Sequence, residues 1–432
     1  MIHTLTSQRF DAAQKEIAFS FERVPFLRKH MEAAGLKPED LSSPEALERF
    51  PPTEKSDYRR NFPVGVLAQG QNLNQPGVLQ MKSSGTESDR LTTAARSIFL
   101  ARRLMTCLQV NPRFSFLTTT RQIKSVRFAA PNCSDVECAN PNSTFEDRLL
   151  PDRTLVLPVY HDLLTTPGKV LDTAVSDLAR HGPHFVYADS AHLSLLARHV
   201  QFKQLEGFAP RGVALGFSVC TQVGRAAISR WLGPEVPLAE VVAMSEFGWL
   251  AMECPRGKLH LNTDAFYFEL VAPDPACERA SLFELLVTSL GDDLSPHIRY
   301  RTGDLYRPLG PCDCGHRFPA VRAEGRLKNL LEPQPGDLLT PREVDELVGP
   351  AAGMDLYQLE EESDAAFCFR FIPSANVTAP SDDVEARLRT RLGPARLRVE
   401  RTQYIPAERS GKFMTCKRAD GRVAAARTRA NG

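Results

Sequence analysis

The sequence predicts an α/β protein in which a large N-terminal domain is followed by a small α+β C-terminal domain. The first observation is length, because 432 residues exceed the size at which one hydrophobic core usually keeps growing. The second is an alternation of short apolar runs with helix-like stretches, which is typical of α/β folds. The third is a change of character near Arg326, followed by the interruption Pro333-Gln334-Pro335-Gly336.

The large domain is expected to begin with a helical entry segment, about residues 1–70. Apolar residues recur at helical spacing from Asp11 to about Leu47, and Pro51-Pro52 then ends the pattern. Beyond this segment, apolar runs predict strands and one longer periodic stretch predicts a helix. The predicted strands are 114–117, 154–159 and 213–217, the predicted helix is 190–200, and the polar stretch 131–147 predicts a surface loop.

The small domain is expected from a short helix at 342–347 and a strand at 367–372. We therefore place the large domain at residues 1–326 and the small one at 327–417. The segment 418–432 is rich in Arg, Ala and Gly and has no apolar face, so it is expected to be disordered.

The amino-acid composition limits the classes of function that are expected for this chain. The 53 basic residues nearly balance the 52 acidic ones, so no general attraction to nucleic acid or to an anionic membrane is expected. No apolar run approaches the roughly 20 residues of a membrane helix, and the N-terminus lacks a secretory pattern, so a cytoplasmic location is expected. In such a chain, closely spaced Cys and His are better interpreted as metal ligands than as disulfides.

Four short motifs suggest nucleotide chemistry by their order along the chain. Ser83, Ser84, Gly85 and Thr86 follow an apolar run, where hydroxyls and backbone N–H groups can surround phosphate oxygens. Asp304, in Arg299-Tyr300-Arg301-Thr302-Gly303-Asp304, follows a glycine turn at an expected strand end and can accept two hydrogen bonds from a ribose diol. The stretches 324–329 (Glu-Gly-Arg-Leu-Lys-Asn) and 409–412 (Arg-Ser-Gly-Lys) complete the set.

With these motifs the chain resembles the superfamily of adenylate-forming enzymes, which includes acyl-CoA synthetases, peptide-synthetase adenylation domains and firefly luciferase. The branch that it resembles most is that of the phenylacetate-CoA ligases. The likeness runs from Val24-Pro25-Phe26 through Asn61-Phe62-Pro63 to Lys412, and so covers nearly the whole chain. It implies a large AMP-binding domain with a small domain that turns about a hinge between two reaction steps.

The resemblance also implies roles for individual residues. Residues 83–86 would close over the phosphates of ATP, Ser245 would offer a hydroxyl to phosphate, and Glu246 would offer an oxygen to Mg²⁺. Asp304 would bind ribose, Arg326 would face ribose and phosphate, and Lys328 would occupy the hinge. Lys412 would reach the substrate carboxylate and the α-phosphate, where a cation stabilises developing charge.

Three departures from the family pattern bear on these roles. Glu87 and Ser88 stand where relatives have a further Thr or Ser and then Gly, which places a carboxylate near the polyphosphate. Val242-Ala243 replaces the usual Tyr-Gly, so adenine is expected to rely on Phe217, Ala243 or Met244. The acyl-pocket stretch 217–220 is not followed by the Glu that relatives often carry, which favours a specialised biosynthetic role.

A Cys/His cluster is expected to bind zinc. Three thiolates and one imidazole, from Cys254, His260, Cys312 and Cys314, would close a tetrahedral structural Zn²⁺ site, and many phenylacetate-CoA-ligase-like proteins bind zinc at such positions. His316 or Cys277 can substitute for one ligand in this scheme, and a set of ordinary thiols is the alternative.

The sequence therefore predicts an ATP- and Mg²⁺-dependent ligase that forms acyl-AMP from an aryl or similar acid and then transfers the acyl group to a thiol. CoA is the first candidate acceptor, and a carrier protein or an amine are the others. A non-catalytic nucleotide-binding descendant is the alternative from another class. Nucleic-acid and membrane partners are not expected, and a homodimer stays open.

Overall fold

The computed structural model describes residues 2–4, 9–83, 90–129, 140–160, 162–201, 208–350, 353–363, 366–375 and 382–418. The chain divides into two compact units, each assembled from separate stretches of sequence. The first unit comprises residues 1–112, 241–273 and 281–322, and the second comprises residues 113–240, 274–280 and 323–432.

Helices and strands alternate along most of the chain, as the sequence predicts. The helices are α1 (Phe10–Arg23), α2 (Pro25–Ala33), α3 (Pro44–Leu47), α4 (Lys55–Asn61), α5 (Ser97–Leu108), α6 (Phe116–Thr119), α7 (Gly168–His181), α8 (Ser190–Gln201), α9 (Gln222–Leu232), α10 (Pro275–Arg279), α11 (Pro341–Val348) and α12 (Asp382–Leu392). The strands are β1 (Ile2–Thr4), β2 (Val78–Lys82), β3 (Thr92–Arg96), β4 (Ser125–Phe128), β5 (Thr154–Val156), β6 (Phe185–Asp189), β7 (Gly212–Gly216), β8 (Leu238–Met244), β9 (Gly248–Glu253), β10 (Leu259–Leu261), β11 (Phe266–Val271), β12 (Phe283–Ser289), β13 (Tyr300–Pro308), β14 (Ala320–Arg326), β15 (Leu331–Gln334), β16 (Asp337–Leu339), β17 (Met354–Ser363), β18 (Ala366–Pro373), β19 (Arg396–Arg401) and β20 (Cys416–Arg418).

The first unit is built on antiparallel strands. Strands β1, β11, β12 and β13 pair in that order, and the sheet continues through β14, β10, β9 and the second half of β8. Every residue of β12 is buried, including Glu284, which stands among its apolar residues and pairs with Arg301. Strands β2 and β3 form a separate antiparallel hairpin; β2 precedes the Ser/Gly/Thr motif in the sequence and β3 follows it.

The second unit contains a parallel sheet, in the order β8–β7–β6–β4–β5, to which β8 contributes residues 238–240. Strand β7 is buried along its whole length, as expected where helices cover a parallel sheet. Apolar side chains of α7 and α8, such as Leu178 and Leu196, share one buried cluster with strand residues Val126 and Val213. Because β6 and β7 are neighbouring parallel strands, their carboxyl ends meet at one edge of this sheet.

The second unit also contains the C-terminal elements. Strands β17 and β18 form an antiparallel pair flanked by β19 and β20, and α11 and α12 supply apolar residues to the same buried cluster. Helix α11 begins with a capping box, in which Thr340 and Glu343 satisfy each other's backbone N–H groups. Domain boundaries at 326 and 417 stay a prediction.

Several of the predicted helices and strands are confirmed, and one predicted strand is wrong. Strands lie at 154–156 and 212–216, and helices at 190–201 and 341–348. The run 114–117 is not a strand: a 3-10 turn ends at Phe114 and α6 begins at Phe116, because the apolar side chains pack as a short helical corner. Residues 130–139 and 419–432, which hold most of the expected loop and tail, lie outside the described residues.

In the described ranges, every helix is too short or too polar to cross a membrane.

Candidate active site

Glu246 occupies the turn between β8 and β9 in the first unit. Its side chain is buried, and both carboxylate oxygens accept hydrogen bonds. The Ser245 hydroxyl donates to Oε2 at 2.9 Å, and the Tyr300 hydroxyl donates to Oε1 at 2.8 Å. Two stretches that the sequence analysis singled out, 244–248 and 299–304, thus meet at one carboxylate.

Packing around Phe247 explains why this turn is rigid. The Phe247 ring is fully buried and meets His297 and Tyr300 edge-on, with centroid distances of 4.9 and 5.5 Å. Gly248 follows with φ +72°, a conformation that favours glycine, and an added Cβ would lie 3.1 Å from the Leu100 side chain. The carboxylate of Glu246 is therefore presented by a turn with little freedom.

Asp304 lies within a strand and not at the strand end that the sequence predicts. Strand β13 continues from Tyr300 to Pro308 through Gly303, whose φ is +73°. Because the pairing with β12 shifts register between Glu284 and Leu286, the backbone can bend at Gly303 without ending the strand. Glu284 accepts the Gly303 N–H at 3.0 Å, which holds this bend beside the half-buried Asp304.

The base of the predicted phosphate loop is ordered by Ser83. Its buried hydroxyl accepts the Leu91 N–H at 2.9 Å, and its own N–H donates to the Leu91 carbonyl at 2.8 Å. These bonds extend the pairing of β2 and β3 by one residue beyond Lys82 and Thr92. Ser84, Gly85, Thr86 and the neighbouring Glu87 lie outside the described residues.

Lys412 lies on a tight turn in the second unit. The Glu408 N–H donates to the Lys412 carbonyl at 2.9 Å, and Gly411, with φ +79°, donates back to the Glu408 carbonyl at 2.7 Å. On either side of the turn, Ile405 and Phe413 are buried in one apolar cluster with Leu163. The segment is thereby anchored, and the Lys412 side chain remains half-buried.

The charge of Lys412 acts on Asp189, a residue that the sequence analysis missed. Asp189 is fully buried at the end of β6, and its Oδ1 lies within hydrogen-bond distance of the Ala191 N–H, the His192 N–H and the His192 ring, at 2.9, 3.2 and 3.1 Å. Ser218, after β7, donates to Oδ2 at 3.1 Å. The sequence signal was an Asp and a His three residues apart at a strand-to-helix junction.

Arg326 and Lys328 lie at the end of β14 and in the 3-10 turn Leu327–Asn329, and both side chains are exposed. Gly325 precedes them with φ +109°, and a Cβ there would lie 2.6 Å from Pro341, so only glycine fits. The Lys328 ammonium pairs with Glu408 at 2.9 Å. The predicted hinge residue therefore contacts the turn that carries Lys412.

The three residues that were expected to contact adenine lie in different parts of the fold. Phe217 has φ +69° and its ring stacks on Tyr187 at 4.8 Å, in the second unit. Ala243 and Met244 are half-buried at the end of β8, in the first unit. The adenine assignment stays a prediction.

The four predicted zinc ligands converge in the first unit. One ligand atom from each of Cys254, His260, Cys312 and Cys314 lies within 4.8 Å of all the others. The Cys254 and Cys312 sulfurs are 3.8 Å apart, and the Cys314 sulfur lies 3.4 Å from His260 Nε2. Tetrahedral Zn²⁺ with Zn–S bonds of about 2.3 Å would separate two thiolates by about 3.8 Å, so the donor set fits this ion.

Surrounding groups orient these donors as outer partners of a metal site usually do. The His260 Nδ1 lies 2.7 Å from the Phe318 carbonyl, which fixes that nitrogen as the donor and leaves Nε2 for a metal. The Arg256 and His316 N–H groups each donate to a cysteine sulfur at 3.4 Å. The His316 ring instead accepts the Phe318 N–H, and neither His316 nor Cys277 is part of the converging set.

Known structures identify the class of fold. A 2-hydroxyisobutyryl-CoA ligase crystallised in the postadenylation state matches with a TM-score of 0.69 at 18% identity, covering 98% of this chain and 90% of that one. An anthranilate-CoA ligase in complex with anthranoyl-AMP gives 0.52 at 14% identity, covering 77% and 65%. The α/β fold expected from the sequence, that of acyl-CoA ligases, is confirmed.

Curated relatives narrow the resemblance within this class. The phenylacetate-coenzyme A ligase of Aromatoleum evansii is 26% identical over 367 residues, covering 80% of this chain and 75% of that protein. The phenylacetate-coenzyme A ligase of Thermus thermophilus is 24% identical, covering 73% and 69%. No family model matches the chain. The resemblance to phenylacetate-CoA ligases that the motifs indicated is thus confirmed.

Proposed function

We propose that this protein uses ATP to convert a carboxylic acid, aryl or of similar size, into an acyl-AMP with release of pyrophosphate, and then transfers the acyl group to the thiol of CoA. The observation that carries the proposal is the buried carboxylate of Glu246, which is held by Ser245 and by Tyr300 from 54 residues away. The similarity to phenylacetate-CoA ligases supports both the acid and the acceptor.

In the first step, a carboxylate oxygen attacks the α-phosphorus of ATP, and the bond from that phosphorus to pyrophosphate breaks. Two anionic groups must approach each other, so a fixed cation lowers the barrier. Lys412 supplies this charge in our proposal, because its turn is anchored by buried residues on both sides. Arg326 would face the ribose and phosphate of the same nucleotide.

The remaining nucleotide contacts follow from the motifs in the first unit. Residues 83–86 would surround the phosphates, Ser245 would add a hydroxyl, and Asp304 would accept hydrogen bonds from the ribose diol. Glu246 would hold Mg²⁺, an ion that usually keeps one or two carboxylates together with phosphates and waters. Its two existing hydrogen bonds would orient the carboxylate for this role.

In the second step, the acyl group passes from the adenylate to an acceptor. A thiol attacks the acyl carbon of the adenylate, AMP leaves, and a thioester remains. CoA is the acceptor named in the relatives, whereas a solved structure of an amide bond synthetase shares the fold at 16% identity with a TM-score of 0.51. A carrier-protein thiol or an amine are therefore the other candidates.

We also propose that Cys254, His260, Cys312 and Cys314 hold a structural Zn²⁺. Support comes from the sulfur–sulfur separation of 3.8 Å and from the carbonyl that fixes the His260 ring. Four protein ligands leave no open position, so this ion would connect two loops without taking part in the reaction.

The small domain, residues 327–417, would turn about Lys328 between the two steps. The exposed Lys328–Glu408 pair, at 2.9 Å, is compatible with such a hinge because surface pairs contribute little and break easily.

The experiment measures pyrophosphate release with ATP and Mg²⁺ across a panel of aryl and aliphatic acids. Native protein is compared with Lys412→Ala and with the matched control Lys417→Ala, an exposed lysine on β20 that pairs with Glu360. We expect acid-dependent release that falls at least about a hundredfold in Lys412→Ala and is unchanged in Lys417→Ala. Adding CoA, a carrier protein or an amine then identifies the acceptor by product mass.

Two results would contradict the proposal. Release that persists in Lys412→Ala would remove this residue from the first step. ATP binding without release on any acid would favour the non-catalytic, nucleotide-binding alternative.

A further inference from the structure

Ser218 and Asp189 form a polar pair at one edge of the parallel sheet in the second unit. Asp189 ends β6 and Ser218 follows the neighbouring β7, so the two side chains meet where parallel strands present ligand-binding residues. The Ser218 hydroxyl lies 3.1 Å from Asp189 Oδ2. Asp189 is fully buried, whereas Ser218 is only half-buried, so the serine is the member that a ligand can reach.

The surroundings of Asp189 favour an ionised carboxylate. Burial by itself raises the pKa of Asp189, but the hydrogen bond and charge of His192, a backbone N–H and the charge of Lys412 together hold it below its ordinary value. The two backbone N–H groups that point at Oδ1 can only donate. An ionised carboxylate accepts hydrogen bonds and donates none.

The direction of the Ser218 hydroxyl follows from this. A serine hydroxyl has one proton and two lone pairs, and its proton is directed to Asp189. The lone pairs are left to accept hydrogen bonds. The Ser190 hydroxyl lies 3.5 Å from the Ser218 oxygen and donates to the Val219 carbonyl at 3.4 Å, and the adjacent carboxylate makes the Ser218 oxygen a stronger acceptor. Next to it, Phe217 stacks on Tyr187 at 4.8 Å and provides an aromatic surface.

We propose that Ser218, oriented by Asp189, is a specificity-determining acceptor that selects acids carrying a hydroxyl or amino group over the unsubstituted acid. The inference rests on the proposed function and narrows its substrate class to hydroxy- or amino-substituted acids. An acid without a donor would cover the Ser218 oxygen without bonding to its remaining lone pair, and sites built for a donor discriminate strongly against analogues that lack one.

The test compares matched acids that differ by one group. Phenylacetate and benzoate are each measured beside their hydroxy, amino and methoxy derivatives at every ring position, with kcat/KM taken from pyrophosphate release. We expect the native protein to prefer one hydroxy or amino acid over its parent and its methyl ether by about ten- to a hundredfold. Ser218→Ala should remove this preference by lowering kcat/KM for that acid and not for the parent.

Three further variants sharpen the result. Ser218→Thr keeps a hydroxyl and should keep the preference. Ser194→Ala removes a buried serine hydroxyl that donates to a helix carbonyl, and it controls for general loss of stability. Asp189→Asn should place its NH₂ toward Ser218, because Oδ1 already faces N–H donors, and so shift the preference from the donor-bearing acid to its methyl ether.

Each remaining outcome is decisive. Equal kcat/KM for donor-bearing acids and their parents, or an equal loss for all acids in Ser218→Ala, would overturn this inference and leave the adenylation proposal intact. An absence of pyrophosphate release with every acid would instead remove the proposed function itself.

Discussion

At the scale of single residues, the hydroxyl of Tyr300 determines how firmly Glu246 is held. It donates to Glu246 Oε1 at 2.8 Å from a fully buried ring. Hydrogen bonds to charged groups contribute about 1.5–3 kcal/mol, so Tyr300→Phe should lower acid-dependent pyrophosphate release by about ten- to a hundredfold. We expect part of this loss to appear as a higher Mg²⁺ concentration for half-maximal rate, because a less oriented carboxylate binds the ion more weakly.

Tyr58→Phe is the matched control, since Tyr58 packs edge-on against Tyr300 at 5.5 Å but directs its hydroxyl to the Pro296 carbonyl. It should leave the Mg²⁺ dependence unchanged. If both variants lose activity equally with no change in Mg²⁺ dependence, Tyr300 acts through packing alone.

Which of these residues the sequence can reveal depends on distance along the chain. Ser245 and Glu246 stand in a short motif, so the resemblance indicates them directly. The contact of Glu246 with Tyr300 joins residues 54 positions apart, and no local pattern encodes such a pairing. Asp189 was missed for a related reason, because an Asp before a helix is ordinarily a cap, and only the neighbouring strand brings Ser218 to it.

At the scale of elements, two segments of the first unit form the predicted zinc site: the β9–β10 hairpin, with Cys254 after β9 and His260 on β10, and the segment after β13 that carries Cys312 and Cys314. We expect the native protein to contain about one Zn²⁺ per chain and Cys314→Ser to lose most of it. Loss of a structural ion should lower the unfolding temperature by roughly 5 °C or more. Metal analysis and thermal unfolding measure the two effects.

His316→Gln separates the ligand from its neighbour. The His316 ring accepts the Phe318 N–H and lies outside the four-residue set, so this variant should retain zinc. Zinc loss in His316→Gln together with retention in Cys314→Ser would mean that the ligand set is different.

Strand boundaries were harder to predict than this cluster. The spacing of the cysteine and histidine residues indicates the candidate ligands, even when the exact path of the backbone is not known. The end of a strand, in contrast, depends on pairing: β13 passes through Gly303 because β12 shifts register beside it. Likewise, residues 114–117 are apolar enough for a strand, yet Phe114 and Phe116 stack at 6.2 Å in a helical corner. Tertiary packing overrides local propensity at both places.

At the scale of the whole molecule, stability is expected to fall in acid because of His297. The ring is buried in the first unit and stacks on Tyr58 at 4.2 Å, and burial lowers the pKa of His297 to about 4. Asp292 and Glu246 oppose this shift, and Arg103 adds to it. The unfolded chain, with an ordinary histidine pKa near 6.5, therefore binds the proton more readily than the folded protein.

The sign and size of the effect follow from this difference in pKa. The stability that His297 contributes is fully present above pH 6.5 and is lost as the pH falls toward 4, which amounts to about 2 kcal/mol between pH 7.5 and pH 5. Urea unfolding at several pH values should show the loss in the native protein and a flatter profile in His297→Phe, which keeps the ring stack. Because other buried groups such as Glu16 also titrate, the difference between the two profiles is the quantity that isolates His297. A native slope in His297→Phe would show that this histidine is not responsible.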